Sequence, residues 1–481
     1  MERFECASTM EKFSHQRIIH PRDQIVDIMQ RMYDKQLTTM SGGNVSIKDS
    51  EGTIWITPGS TDKGELKRDE VLYREQGSDS WTGSKGLKPS REWPFHVRIL
   101  HERPDAKAVL HAHSQSLVAF SCTKRVPDTL SLYQAYHVCG KAAMSDYRMP
   151  GAGELADVIA EKIRNHDCVI MESHGVVICG TSLSVCYGKF EVLEFCAEAI
   201  VRACLLGGNR VLLSEEDYRA QEEIRCTELG NCVHGTIVCR PQITSKEAHM
   251  RHQLVKFSKR AYETGLIVAS IGAFSVRLSK TSFLITPMGI DRRFMQPNDI
   301  LLFDVSDAET TKVYAEKPTL NPPVSWKMLA ELYKAFPDVE SLTFATPRYF
   351  SAFTMTDVNF PSHIHPETYI VCQGVGRIGF RPSLDYANVI DAFSKGIHSL
   401  TISNKGVVIR GQTVQESFDK LEILEATTKV VIDCIALGGH RMMTEKEIDE
   451  IDRHYFGKGL KRKFSVERDG CGHVAMLTED S

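Results

Sequence analysis

The sequence predicts an α/β protein built from two homologous domains. The chain has 481 residues, more than one ordinary hydrophobic core accommodates. Short apolar segments of strand character alternate with longer segments whose apolar residues recur at helical spacing. In addition, five short motifs of the first half recur in the same order in the second half. Two copies of one α/β domain account for all three observations.

The first half of the chain predicts helices and strands in alternation. A helix is expected from Pro21, because apolar residues follow it at helical spacing. The glycines Gly42 and Gly43 make a turn into a strand, and a second strand ends at Pro58-Gly59. The remaining predicted elements are helices over 92–102, 154–164 and 185–206 and strands over 108–113, 169–171 and 176–178. Gly207-Gly208 is a normal stop for the last helix.

Internal repetition determines the predicted domain boundaries. The matched segments are 54–58 with 283–287, 103–106 with 336–339, 174–178 with 405–409, 191–194 with 422–425, and 206–210 with 437–441. Chance explains one such match easily, but it explains five collinear matches very poorly. We therefore predict a leader over 1–22, a first domain over 23–227 and a second domain over 247–481. A linker is expected over 228–246, where polar residues, glycine and Pro241 interrupt the patterns.

Composition excludes several classes of protein. The net charge of −4, with both signs mixed along the chain, gives no electrostatic case for nucleic acid or an anionic membrane surface. No apolar run approaches the roughly 20 residues that span a bilayer, and the charged N-terminal residues do not resemble a signal peptide. The 14 cysteines are dispersed and form no CxxC pair. A reducing, cytoplasmic compartment is expected.

Three histidines and one glutamate are the candidate catalytic metal site. His111 and His113 alternate on a predicted buried strand, so both imidazoles project to one face. His174 precedes a glycine at a turn between strands and can supply a third ligand. Three histidines with an open fourth position are typical of catalytic zinc, which polarises a substrate oxygen. Glu92, at the start of a helix, is then the candidate general acid/base.

A second group of residues offers donors for a phosphate. The turn at Gly42-Gly43-Asn44, the turn over 57–60 and Ser90 present amide and hydroxyl groups, and Arg91 adds a charged donor. Each motif has a structural alternative when taken alone: a His-x-His pair, a turn histidine and a glutamate favoured by the helix dipole are all common. His96, His101 and His137 are interpreted as structural, and His96, one turn after Glu92, is the one expected nearest the site.

Taken together, the motifs resemble the class II aldolase/adducin family over roughly residues 23–215. The segments that carry the resemblance are Gly42-Gly43-Asn44-Val45-Ser46, Ile56-Thr57-Pro58, Pro89-Ser90-Arg91-Glu92, His111-Ala112-His113 and Ser173-His174-Gly175. The resemblance implies that each domain has α/β/α architecture, with a central mixed, largely antiparallel sheet covered by helices. Arg91 departs from the family pattern, which has a second serine there. The turn after Pro58 also departs, because it has Gly59-Ser60 where the family has a small hydroxyl residue followed by glycine.

The resemblance also implies roles for individual residues. Glu92 would be the acid/base, and His111, His113 and His174 would bind Zn²⁺ or another divalent metal. A family tyrosine that acts from a neighbouring subunit would correspond to Tyr133, with Tyr136 as the alternative. The residues expected around the substrate phosphate are Asn44, Gly59, Ser60 and Ser90.

The function expected from the residues and the resemblance is that of a zinc-dependent aldolase. It would cleave a phosphorylated ketose or sugar acid by a retro-aldol reaction through a metal-stabilised enediolate. The alternatives in the same family are a decarboxylase, a dehydratase or an epimerase; Glu92 disfavours the epimerase branch, which carries aspartate there. A non-catalytic, adducin-like assembly module is the alternative outside enzymes. The retained histidines and Glu92 favour an enzyme.

The second repeat is predicted to have lost this site. Ala273, Ser325, Phe344, Thr346 and Lys405 align with Asn44, Glu92, His111, His113 and His174, respectively. A pseudo-enzyme domain is the resulting hypothesis. Because the family typically forms a fourfold ring with sites at subunit boundaries, a dimer of this chain would form a pseudo-tetramer. The cluster from His363 to Glu367 is interpreted as structural, or as a contact with a neighbouring subunit, in preference to a metal site. Lys405 is interpreted as solvated or salt-bridged in preference to binding an anion.

Overall fold

A computed structural model of the chain describes two compact units. The described residues are 20–230, 232–236, 243–306, 311–317, 320–372, 374–456, 465–468 and 474–477. One unit comprises the residues up to Thr129 together with Gln134–Glu198, and the other comprises Leu130–Tyr133 together with the residues from Ala199 onward. The leader up to residue 19 and linker residues 231 and 237–242 lie outside the described residues. The predicted domain boundaries stay a prediction, and the compact units depart from them at 130–133 and at 199–227, which both belong to the unit of the second repeat.

The first repeat forms its elements in the predicted order. Its helices are α1 (Pro21–Asp34), α2 (Trp93–Glu102), α3 (Gln115–Cys122), α4 (Tyr133–Cys139), α5 (Gly153–Ile163), α6 (Leu183–Leu206) and α7 (Glu215–Gly230). Its strands are β1 (Asn44–Lys48), β2 (Ile54–Ile56), β3 (Leu72–Arg74), β4 (Ala108–Ala112), β5 (Ala143–Ser145), β6 (Cys168–Met171) and β7 (Gly175–Gly180).

The seven strands of the first repeat form one mixed sheet in the order β3-β2-β1-β4-β7-β6-β5. Every neighbouring pair is antiparallel except β5–β6. Helices α2 and α5 bury their apolar residues against Val109, Val169 and Val177 of the sheet. Because strand side chains alternate in direction, His111 shares the face of Val109. The central strands β1, β4 and β7 therefore carry the candidate site.

The second repeat forms the corresponding elements. Its helices are α8 (Ser245–Glu263), α9 (Trp326–Ala335), α10 (Ser351–Thr354), α11 (Pro366–Cys372), α12 (Tyr386–Ser394), α13 (Val414–Ala436) and α14 (Glu445–Ile451). Strands β8 (Cys232–Thr236), β9 (Ala273–Arg277), β10 (Ser282–Ile285), β11 (Leu301–Asp304), β12 (Thr311–Ala315), β13 (Ser341–Ala345), β14 (Val375–Ile378), β15 (Ser399–Ile402), β16 (Gly406–Gly411), β17 (Ser465–Arg468) and β18 (Val474–Leu477) complete the described elements.

The sheet of the second repeat reproduces the strand order of the first. Its order is β14-β15-β16-β13-β9-β10-β11-β12-β8, which is the first sheet with β12 and β8 added at one edge. The register is also reproduced: Asn44 lies opposite His111 in the first sheet, and Ala273 lies opposite Phe344 in the second. The predicted fold class, two homologous domains with mixed, largely antiparallel sheets covered by helices, is confirmed.

A buried carboxylate caps a helix in each repeat. Glu194 of α6 accepts hydrogen bonds from the backbone N–H groups of Ser116 and Leu117 at the start of α3, at 2.8 and 3.0 Å. Glu425 of α13 accepts from the N–H groups of Tyr349 and Phe350 just before α10. Burial raises the pKa of both carboxyl groups. The recurring Glu-x-x-Glu motif is therefore structural, because it satisfies amide groups that have no partner within their own helix.

Two further observations concern the cysteines and the helices. Cys168, Cys179 and Cys186 are buried free thiols. None of the described helices combines the length and the apolar composition needed to cross a bilayer.

The turn before β7 approaches β4 more closely than a side chain permits. A Cβ atom on Gly175 would lie 2.5 Å from the Ala112 carbonyl oxygen and 2.7 Å from Cδ2 of His113. Contacts this short require the backbone to move, since the oxygen belongs to a paired strand. Gly175 therefore sets the spacing between the strand of two histidines and the turn that carries His174.

We expect Gly175→Ala to lower the free energy of unfolding of the first unit by about 1–3 kcal/mol, because a methyl group there overpacks a central strand pair. Urea unfolding followed by fluorescence measures this change. Gly153→Ala is the matched control, because a Cβ atom at Gly153 meets no heavy atom within 4 Å. Equal stability of the two variants would contradict the close-approach argument.

Candidate metal centre

Three predicted ligands converge at the end of the central strands. β4 ends at Ala112, so His111 and His113 lie at the C-terminal end of this strand. His174 lies in the connection between β6 and β7. One ring nitrogen from each histidine lies within 4.8 Å of the other two. Among the residues that the structure describes, no other group of histidine, cysteine and acidic side chains has this arrangement.

The donor set fits a divalent cation. Nδ1 of the fully buried His111 lies 2.9 Å from the Val176 carbonyl oxygen. A proton on Nδ1 satisfies that carbonyl and leaves the lone pair of Nε2 facing His113, whose Nε2 is 2.8 Å away. Two imidazole lone pairs aimed at one point, with a third nitrogen beside them, are the chemistry of a zinc ligand set with an open position.

Glu92 lies against these ligands. It is the residue that precedes α2, and its side chain is nearly buried. Oε2 lies 3.1 Å from Nε2 of His111, and Oε1 lies 3.2 Å from Nε2 of His174. The carboxylate therefore contacts two predicted ligands at once. At this distance a carboxylate can exchange a proton with a molecule bound beside the histidines.

A buried hydrogen-bond chain orients Glu92. Ser46 Oγ lies 2.7 Å from Nδ1 of His96, and Nε2 of His96 lies 2.5 Å from Oδ1 of Asn44. Asn44 Nδ2 then donates to Oε2 of Glu92 at 2.8 Å. Burial, with the neighbouring His111, lowers the pKa of His96 to about 3, so its ring is neutral and donates one proton to Asn44. From the sequence His96 is interpreted as structural. In the structure it contacts Asn44, which in turn donates a hydrogen bond to Glu92.

The carboxylate of Glu92 is held ionised. Burial alone would raise the pKa of Glu92, but the charge and hydrogen bond of His111 and the hydrogen bond of His174, when their Nε2 atoms are protonated rather than binding a metal, hold that pKa well below its usual range together with the hydrogen bond from Asn44. Burial and the neighbouring His111 and His174 lower the pKa of His113 to about 3, which keeps its ring neutral. A neutral imidazole is the form that binds a metal.

The two predicted phosphate-binding segments lie side by side. Gly59 N donates to the Lys88 carbonyl at 2.9 Å, and Ser90 N donates to the Thr57 carbonyl at 3.1 Å. This pairing brings the Gly59-Ser60 turn next to Ser90 and to the exposed Arg91, directly before Glu92. Asn44 is placed differently: its side-chain amide contacts Glu92 and His96. The phosphate-binding roles of all five residues stay predictions.

Sequence reasoning missed Lys63. Its ammonium group is buried beneath the Gly59-Ser60 turn, where Nζ donates to the Pro58 carbonyl at 2.6 Å and to Thr61 Oγ1 at 3.1 Å. Burial lowers its pKa to about 8. An isolated lysine in a polar turn is normally exposed, so no local pattern distinguishes this one.

Tyr133 lies in the second unit. Its ring is fully buried and packs on Tyr218 and Phe380, and its hydroxyl donates to Glu222. Burial, with the charge of Glu222, raises the pKa of this hydroxyl well above its ordinary value. The catalytic role assigned to Tyr133 stays a prediction, and Tyr136 is half-buried.

The second repeat places different chemistry at the equivalent positions. Phe344 is buried in the core, and Ser325 precedes α9 as Glu92 precedes α2. Lys405, aligned with His174, is buried and donates to Oε1 of Gln221, and burial lowers its pKa to about 8. Lys405 is therefore not solvated, because α7 covers it, and the alternative of a salt-bridged role stays a prediction. The near-identical φ angles of Ser173 (53°) and Asn404 (55°) show that the turn itself is retained.

We expect the purified protein to hold close to one zinc ion per chain and the double variant His111→Ala, His113→Ala to hold none. Removing two of three ligands leaves no chelating set. Elemental analysis by mass spectrometry measures the stoichiometry. His101→Ala, an exposed histidine on α2, is the control and should retain the metal. Zinc that persists in the double variant would contradict this site and would indicate a metal elsewhere, including the second repeat.

Comparison with known proteins matches both repeats to one family. The family model described as Class II Aldolase and Adducin N-terminal domain matches residues 23–201 and 252–432. The L-fuculose phosphate aldolase of Methanococcus maripaludis is 32% identical over 175 residues, which are 36% of this chain and 93% of that protein. The 3-oxo-tetronate 4-phosphate decarboxylase of Pectobacterium atrosepticum is 30% identical over 194 residues, 40% of this chain and 86% of that protein.

Among solved structures, an L-fuculose 1-phosphate aldolase aligns with a TM-score of 0.38 and 25% sequence identity. It covers 41% of this chain and 92% of that one. The two family matches together span most of the chain and contain the seven equivalent strands of each sheet. The chain therefore belongs to the class II aldolase and adducin family and carries the family's domain twice.

Proposed function

We propose that the protein is a zinc-dependent class II aldolase-type lyase that cleaves a phosphorylated ketose or sugar acid. The observation that carries the proposal is the position of Glu92, whose two carboxylate oxygens lie 3.1 and 3.2 Å from ring nitrogens of two candidate ligands. A carboxylate in that place can exchange a proton with a substrate carbon bound at the open position. A zinc ion held by His111, His113 and His174 supplies Lewis-acid polarisation of the substrate oxygen.

The chain's own residues manage the proton. In retro-aldol cleavage the carbon–carbon bond breaks, the hydroxyl on the aldehyde side loses a proton, and the three-carbon side gains one. Glu92 is the carrier for the carbon that gains a proton, since it is ionised and can take up the proton before it delivers it. Asn44 holds one oxygen of Glu92 in place, and His96 holds Asn44. This fixed orientation keeps the carboxylate aimed at the ligand cluster.

The anionic group of the substrate would bind at the Gly59-Ser60 turn and Ser90, directly before Glu92, and these residues are termed the phosphate edge. The hydroxyl groups of Ser60 and Ser90 are the donors proposed there, and Arg91 brings a positive charge. The amides of Gly59 and Ser90 are already paired with carbonyl oxygens and hold the two segments together. Lys63 stabilises the Gly59-Ser60 turn by donating a hydrogen bond to the Pro58 carbonyl oxygen. Ser90 precedes Glu92 by two residues, directly before α2, so a phosphate bound by Ser90 would lie near the carboxylate.

A decarboxylase acting on a phosphorylated sugar acid is the second candidate. Arg91 favours it, because a guanidinium beside the phosphate edge can pair with a carboxylate in a bidentate manner. Relatives in this family include proteins named 3-oxo-tetronate 4-phosphate decarboxylase. Both reactions need the same metal and the same proton carrier, so the product distinguishes them.

The second repeat is proposed to be a pseudo-enzyme domain in a cytoplasmic homodimer. Its equivalent positions hold Phe344, Thr346 and Lys405 in place of three histidines, and none of these binds zinc as imidazole does. Two chains would supply four copies of the domain, two with a site and two without. Buried free thiols in the described residues fit a reducing compartment.

We expect Glu92→Gln to keep its metal and to lose about 10²–10⁴-fold in turnover, since the amide cannot carry a proton. A panel of ketose 1-phosphates and phosphorylated 3-oxo acids, followed for released aldehyde and carbon dioxide, identifies the reaction. Glu102→Gln, at the other end of α2, is the matched control and should retain wild-type turnover. Full activity in Glu92→Gln would remove Glu92 from the mechanism, whereas carbon dioxide as product would favour the decarboxylase.

A further inference from the structure

A buried positive charge lies beneath the phosphate edge of the first repeat. Lys63 is only 2% exposed, and its ammonium group donates to the Pro58 carbonyl oxygen and to Thr61 Oγ1 at 2.6 and 3.1 Å. Lysine is seldom buried in this way, because removing an ammonium group from water is costly. Both of these hydrogen bonds go to neutral oxygens. Lys63 therefore brings a charge to the turn that its own acceptors do not cancel.

The backbone of Lys63 is fixed to a second segment of the site. Its N–H donates to the Met40 carbonyl at 2.8 Å, directly before the glycine turn that leads to Asn44. Its side chain holds the turn that contains Ser60. Lys63 therefore connects the segment that positions Asn44 beside Glu92 with the turn of the phosphate edge.

The turn above Lys63 depends on such contacts. Ser60 has a φ angle of 56°, in the left-handed region that a residue with a Cβ atom rarely adopts. A conformation of this kind persists where the surrounding structure imposes it. The hydrogen bond from Gly59 N to the Lys88 carbonyl holds one side of the turn, and the bond from Lys63 to the Pro58 carbonyl holds the other. The exposed Ser60 is thereby kept in place for a ligand.

The second repeat also has a buried cation at the aligned position, but it is directed elsewhere. Arg292 aligns with Lys63 and is 1% exposed. Its guanidinium group donates to the carbonyl oxygens of Ser270 and Gly272, at 3.0 and 2.9 Å. These two residues belong to the loop that aligns with the glycine turn of the first repeat. The position therefore accommodates either cation, and its hydrogen bonds differ between the repeats.

The difference follows the donors of the phosphate edge. Met288-Gly289 aligns with Gly59-Ser60, and Pro323-Val324 aligns with Ser90-Arg91. The second repeat thus has no hydroxyl or guanidinium group at these four positions. The cation is bonded to the turn in the repeat whose turn carries the proposed anion donors, and to the neighbouring loop in the repeat whose turn does not.

We propose that Lys63 is a positioning residue for the anionic group of the substrate, whose charge it balances from beneath the phosphate edge while it holds the Gly59-Ser60 turn in place. The inference rests on the proposed function, because it takes the phosphate edge as the site of the anion. The hydroxyl groups of Ser60 and Ser90 carry no charge, and the charge of Arg91 is exposed to water and salt. A buried ammonium group is screened much less, so it acts on the anion without touching it.

The protonation of Lys63 makes this contribution depend on pH. Burial lowers the pKa of its ammonium group to about 8, although Glu70 and Asp62 oppose that change. These two carboxylates are the charged groups that face it, and the Tyr33 ring of α1 lies against the neighbouring Gly64. The ammonium group is charged below this pKa and neutral above it. Anion binding should therefore be strong near pH 7 and weaker near pH 9.5.

The charge is tested with sulfate, which stays doubly negative across this pH range. In calorimetric titrations of the purified protein at pH 7, Lys63→Met should weaken sulfate binding about tenfold, because it removes a buried charge near the anion. Lys63→Arg keeps the charge and should stay within about threefold of the wild type. Lys67→Met removes the same charge from an exposed position and is the matched control. Equal affinity in the wild type and Lys63→Met, or a wild type that binds no sulfate, would overturn the proposal.

The pH profile separates an effect of charge from an effect of packing. Sulfate binding by the wild type should fall about fivefold or more between pH 7 and pH 9.5, whereas Lys63→Arg stays charged and should retain its affinity. A change in the metal site with pH would affect both proteins equally. Parallel profiles of the wild type and Lys63→Arg would overturn the proposal, and this comparison holds even if Lys63→Met fails to fold.

Turnover gives a third measurement once the panel identifies a substrate. Lys63→Met should raise KM about tenfold and leave kcat within about threefold, because the anionic group keeps its charge throughout the reaction. Its zinc content should equal that of the wild type. A lower kcat at unchanged KM would overturn the positioning role. If the panel yields no product, the proposed reaction fails, and the sulfate measurements still decide the role of Lys63.

Discussion

The spacing between β4 and the turn before β7 is the constraint on which both repeats depend. Gly175 approaches the Ala112 carbonyl more closely than a Cβ atom allows, and Gly406 approaches the Ala345 carbonyl in the same way. In the first repeat this spacing brings His174 against His111 and His113. In the second repeat Phe344, Thr346 and Lys405 stand at the aligned positions, yet the glycine is there. The close approach is therefore a requirement of the sheet, and the first repeat's ligand set uses a geometry that the fold provides in any case.

The buried carboxylates show the same separation between folding and chemistry. Glu194 accepts hydrogen bonds from backbone amides that follow the strand with the His-x-His pair. Glu425 accepts hydrogen bonds from the amides that follow the aligned strand of the second repeat. Losing either carboxylate would leave buried donors without a partner, which costs about 1–3 kcal/mol for each group. Glu92 has no such duty, because the aligned Ser325 precedes its helix equally well. The glutamate occurs in the repeat that has the three histidines, which is what the proposed chemistry requires.

Much of this arrangement was predictable from local patterns. The period of two along a strand placed His111 and His113 on one face, and the collinear repeats predicted the matched strand orders of the two sheets. Contacts between distant segments were not predictable: nothing near Lys63 indicates burial, and nothing near His96 indicates its bond to Asn44. The packing of Leu130–Tyr133 within the second unit is of the same kind, because it depends on Phe380 and Leu213, which lie far along the chain.

Helix α7 covers the turn of the second repeat that is equivalent to the turn of His174. Gln221 of α7 accepts a hydrogen bond from Lys405, so the buried ammonium group has a partner. Restoring histidine at position 405 alone would therefore remove a satisfied pair and still leave Phe344 and Thr346 where ligands are needed. The turn of the second repeat is therefore held by packing and a hydrogen bond, whereas the equivalent turn of the first repeat carries His174 beside His111 and His113.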